Sequence, residues 1–94
     1  MKPWNESKNK INQRRHKVSF EAAILVFNDP GHITIEDYED ENGELRHQTI
    51  GLAGVTLLFV AHVYRIIDGV ETPWLINARK ADDYEENLYS SHDR

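Results

Sequence analysis

The sequence predicts an α+β domain: two N-terminal helices, a four-stranded antiparallel meander sheet and a C-terminal helix. Three observations carry that reading. Apolar residues recur at helical spacing before Asn28-Asp29-Pro30-Gly31 and at a period of two after it. The turn pairs Asn42-Gly43, Ala53-Gly54 and Asp68-Gly69 give connections short enough to join only antiparallel neighbours. Asp82 and Glu85 follow the last strand at the spacing of a helix capping box.

Each element has its own local reason. Asn5 caps a polar first helix that runs to about His16, anchored by Trp4 and Ile11. Ser19 caps a second, whose stripe Phe20, Ala23, Ile24 and Phe27 belongs to the core. Pro30 cannot continue that helix and Gly31 permits a sharp turn. Ile33 and Ile35 then alternate with Thr34 and Glu36, the pattern of a half-buried strand. Leu45 to Gly51, Val55 to Ile67 and Val70 to Arg79 form the second, third and fourth strands, the third being the longest and central. Pro73 donates no ladder hydrogen bond, so the fourth strand is expected to be bulged, broken or edge-facing there. A last helix runs through Tyr89. The chain reads as one domain over 1–94, helical over 3–30, sheet over 32–79 and helical again over 82–90. Helices at both ends are expected to cover one face of the sheet and leave the other partly open.

Composition narrows the function classes. The chain has no cysteine, which excludes disulfides and thiolate metal sites. No spacing of histidines and carboxylates suggests a metal, so neither metal nor cofactor is expected. The longest apolar run, Val55 to Val63, is too short to span a bilayer, and the N-terminus is polar and basic, so a cytoplasmic protein is expected. The net charge of -5 argues against nucleic acid, but its distribution argues the other way. Lys8, Lys10, Arg14, Arg15 and Lys17 lie together without an intervening acid, whereas the acids gather in two blocks, Glu36 to Glu44 and Asp82 to Glu86. Arg79 and Lys80 stand where the fourth strand gives way to a helix, a place that holds cations rigidly and suits a phosphate contact.

With the elements placed, five stretches in register resemble one family. They are Trp4-Asn5-Glu6-Ser7-Lys8 with Arg15 to Ala23, then Val26 to Pro30, Gly43 to Gly51, Leu58 to His62 with Tyr64-Arg65, and Ile76 to Ala81 with Glu85 and Tyr89. Together they resemble the BrnT-type toxins over nearly the whole chain. The resemblance implies a RelE-like fold and a ribonuclease toxin of a type II toxin–antitoxin pair. It also implies an antitoxin partner with a ribbon-helix-helix domain, and contact with operator DNA only through that partner. Three positions depart from the family habit: Lys17 where Gly is usual, Trp74 where Arg is usual and Asn77 where Ser is usual.

Cleavage of RNA without a metal needs a base for the 2′-hydroxyl, cations for the developing charge and an acid for the leaving oxygen. Arg65 and Arg79 are the leading phosphate clamps, with Lys80 and Arg46 behind them. Surface salt bridges to the acidic blocks are the alternative for both arginines. His62 is the best titratable candidate, and a buried, hydrogen-bonded histidine is its alternative. Arg15, His16 and Tyr64 are candidates for RNA contact, although His16 equally completes the helix dipole. A second function remains open, a catalytically inert module that only binds the antitoxin and takes part in operon repression.

Overall fold

The computed structural model describes residues 2–92. In chain order these form α1 (Glu6–His16), α2 (Phe20–Ala23), a 3₁₀ segment (Ile24–Asn28), β1 (Ile33–Glu39), β2 (Leu45–Ala53), β3 (Thr56–Ile67), β4 (Val70–Lys80) and α3 (Asp83–His92). The four strands form one antiparallel sheet in the order β1-β2-β3-β4. Among the described residues no helix is long and apolar enough to cross a membrane.

The two N-terminal caps form as their residue types demand. The Asn5 side chain accepts from the Lys8 N–H, and Ser19 accepts from the Ala22 N–H. The second helix tightens after one turn. Its buried residues are then Phe20, Ala23 and Val26, spaced by three, the period of a 3₁₀ segment. An unbroken α-helix would have buried Ile24 and Phe27 in preference to Val26; both end half-buried.

The main core lies between these helices and one face of the sheet, joining Trp4, Val18, Phe20, Ala23 and Val26 to Leu58, Val60, Leu75 and Ala78. Leu75 and Ala78 are three apart on one strand, yet they share a face. The register explains it: Asn77 pairs with Ala61 and Leu75 with His62, which leaves Ile76 as the extra residue of a bulge. Pro73 pairs opposite Tyr64 without breaking the strand. Two residues along, the Leu75 N–H points away from β3 and donates to the Pro3 carbonyl. The missing proline N–H therefore falls on the same outer edge, where no ladder needs it.

That edge is covered by the chain itself. Asn12, buried on α1, accepts from the Ala78 N–H and donates to the carbonyls of Ala78 and Val18. Asn9, fully buried, takes the Phe20 N–H and donates to Glu6 and Glu21. A helix with almost no apolar face is thus attached through amides.

The terminal helices do not share a face of the sheet. Ala78 points into the main core, so Arg79 points the other way, and there it meets Glu85 of α3. Glu85 also takes the Asp82 N–H while Asp82 takes the Glu85 N–H, the reciprocal box that starts the helix. At its far end Tyr89 donates to Asp29, which also holds the Leu52 and Gly31 N–H groups.

Candidate functional site

The turn at Gly54 sets much of the site. It places Ala53 opposite Thr56 and carries the register on to His47 opposite His62. Three residues further along each strand, Glu44 meets Arg65. The guanidinium is gripped in a fork, Nε to Oε2 and Nη2 to Oε1, both at 2.9 Å. Arg65 also lies 4.7 Å over the Trp74 ring. Trp74 reaches that side because the bulge at Ile76 reverses the alternation of β4 beyond it. The fork uses Nε and Nη2 and leaves Nη1 without a hydrogen bond among the described residues. Bonding to Arg65 holds the Glu44 carboxyl below its ordinary range and raises Arg65 further.

Arg46 stands beside this pair, its Nε 3.3 Å from Asp40 and both of its Nη atoms without a hydrogen bond among the described residues. The two arginines, Trp74 and Lys8 line a cleft of about 260 Å³ together with Asp40, Glu44 and Ile76. Lys8 and Ile76 also line the neighbouring hollow of about 200 Å³, where Arg15 and Asn77 join them. A track of four cations, Arg46, Arg65, Lys8 and Arg15, thus follows the seam between α1 and β4. Of the residues expected from sequence, Arg65 and Arg46 share one cleft and Arg15 lines the hollow next to it.

Arg79 is not among them. It pairs with Phe59 at the opposite end of β3, where its ring-plane contact is 4.2 Å. Its Nη atoms are taken by Glu85 at 2.9 Å and by the Lys80 carbonyl. Lys80 lines a third hollow beside Lys17. Arg65 and Arg79 therefore stand at opposite ends of the β3–β4 hairpin, and each already holds a carboxylate.

His62 lies on the other face of β3 and is fully buried. Its Nε2 is 2.7 Å from the Thr49 hydroxyl, which is 2.8 Å from the Thr34 hydroxyl. The ring stacks on His47 at 5.6 Å and meets Phe27 and Tyr64 edge-on at 5.0 and 5.1 Å. Among the described residues its Nδ1 has no hydrogen bond of standard geometry. Burial, with the charge of His47 second, lowers its pKa from 6.5 to about 4, so it is neutral at neutral pH. Tyr64 sits at the margin of this cluster, with burial raising its phenol above the ordinary value. His16 is half-buried in the last turn of α1.

Residues 4–85 match the model of a family described as the ribonuclease toxin, BrnT, of type II toxin-antitoxin systems. The chain belongs to this family. A type II toxin family implies a protein antitoxin as partner, and this BrnT-family chain carries the match over nearly its full length. No curated protein matches the chain. Two further residues escape a reading of the sequence alone: Glu44, which holds Arg65, and His47, which stacks on His62. Both were recoverable, since the turn at Gly54 sets each opposite a residue already singled out.

Proposed function

We propose that this BrnT-family chain is a cytoplasmic, metal-independent endoribonuclease toxin on a RelE-like scaffold. A ribbon-helix-helix antitoxin silences it, and operator DNA is reached only through that antitoxin. The observation that carries the reading is the fork of Arg65. Glu44 and Trp74 fix its guanidinium, and among the described residues Nη1 has no hydrogen bond at the wall of a cleft that Arg46 and Lys8 also line.

An RNA strand in this seam would set successive phosphates against Arg15, Lys8, Arg65 and Arg46. Trp74 offers the aromatic surface that an unpaired base uses. The attacking group, the ribose 2′-hydroxyl, belongs to the substrate, so no metal-activated water is required. Cations held in place for the charge on the in-line phosphorane contribute about 10²–10³-fold each. The 2′-hydroxyl passes its proton to water as it attacks the phosphorus, the P–O5′ bond breaks, and the departing oxygen takes a proton from water, so the products are a 2′,3′-cyclic phosphate and a free 5′-hydroxyl. His62, neutral and buried, supports the strand from behind and is not assigned a proton transfer.

One observation favours the inert module instead. Both Arg65 and Arg79 are engaged by carboxylates, and they stand at opposite ends of the β3–β4 hairpin. Induced expression without the adjoining antitoxin gene separates the two readings. The toxin arrests growth and leaves cyclic-phosphate ends in the presence of EDTA, and Arg65→Ala abolishes both effects. Unaffected growth of cells that accumulate the unaltered folded chain would leave the inert module standing.

A further inference from the structure

Another hollow lies away from the cation track. It measures about 460 Å³ and is lined by Val18, Ala22, Ala53 and Leu58 at its floor, with Lys17 and Lys80 among its polar lining. Gln13, Ser19 and Thr56 complete it, so no carboxylate and no aromatic ring takes part. Beside it, Leu25 and Val55 leave apolar side chains 47 % and 99 % exposed.

Lys17 is held there at a cost. Its φ of 62° lies in the left-handed region that favours glycine, and it closes α1 from that conformation. Its ammonium rests 3.5 Å from the Arg14 carbonyl, and among the described residues neither it nor Lys80 has an ion-pair partner. A strained residue that keeps an unpaired cation beside an apolar floor marks a surface built for a partner. On a chain of net charge -5 this patch is a local exception of sign.

We propose that this hollow receives a segment of the protein antitoxin in which an apolar side chain is flanked by carboxylates. The apolar group fills the floor over Ala22, Ala53 and Leu58, and the carboxylates meet Lys17 and Lys80. RNA fits less well, because the lining presents no ring on which a base could stack. The inference rests on the antitoxin pairing proposed above and adds the surface through which the pairing is made.

The test uses the full-length chain and the protein encoded by the adjoining reading frame, titrated against each other and, separately, against a fluorescent RNA oligomer. Lys17→Glu and Ala22→Glu should each weaken the protein complex by at least about tenfold, with RNA affinity held within about twofold. Lys17→Gly keeps the fold measurable in any case. It should raise the melting temperature while weakening the complex, whereas a merely structural role for Lys17 would leave the complex no weaker. A complex unchanged in all three variants overturns this surface and leaves the antitoxin pairing intact. Loss of RNA affinity with the complex intact also overturns it. No complex with the unaltered chain overturns both.

Discussion

Acid should destabilise this protein already between about pH 6.5 and 4, and His62 is the reason. Its pKa is lowered from 6.5 to about 4 in the folded chain, with burial as the main cause. As pH falls, the unfolded chain takes up the proton first. The stability that neutral His62 contributes is therefore complete above about pH 6.5 and lost progressively toward pH 4. Integrated over that window, the loss is about 2.5 kcal/mol by pH 4.5 and about 3 kcal/mol by pH 4. Paired carboxylates act later: Glu6, Glu21, Asp40 and Glu44 are all held below ordinary values of 4.5 or 3.8, so their contribution goes only at lower pH. Urea unfolding at pH 7.5 and 4.5 on the unaltered chain and on His62→Gln isolates the effect. The glutamine variant keeps a polar partner for Thr49 but no titrating ring. It should lose about 2.5 kcal/mol less than the unaltered chain between the two pH values. Equal losses in the two proteins would show that His62 is protonated as readily folded as unfolded, and the argument from its burial would fail.

Other perturbations have equally definite outcomes. Asn12→Ala removes three hydrogen bonds to the outer edge of β4 and the Val18 carbonyl, and should cost about 3 kcal/mol in chemical denaturation. Arg79→Ala should cost about 2 kcal/mol and increase hydrogen exchange across α3, because Glu85 is nearly buried and loses its cation. Glu44→Gln breaks an exposed pair, so stability should change by less than about 1 kcal/mol. If Arg65 binds phosphate, the same variant frees its guanidinium and tightens RNA binding several-fold in a fluorescence titration; weaker binding would mean that Glu44 positions the group.

Much of the fold was legible because local signals agreed. The caps at Asn5 and Ser19, the turn glycines and the Asp82–Glu85 box each act within a few residues, and each stands where its residue type requires. What sequence reading did not supply depends on contacts between distant segments. The bulge at Ile76 exists so that Leu75 and Ala78 can both reach one core, and no local rule states that need. The second helix tightens at Ile24, which brings Val26 inward. Arg79 and Glu85 were both visible as charges, but only the folded chain shows that they satisfy each other. Arg65 and Arg46 gain a common cleft from a hairpin register that the turn at Gly54 already implied.

The covering of β4 by Pro3 and Asn12 bears on how this molecule stays apart from its own copies. A sheet invites strand addition at its two margins, which is a route to aggregation. One margin is closed by the chain's own N-terminal segment. The other is β1, where Glu36, Asp37 and Glu39 stand exposed and would repel an identical strand laid alongside. Amyloid-like stacking is thus opposed by hydrogen bonds already made on one flank and by like charge on the other.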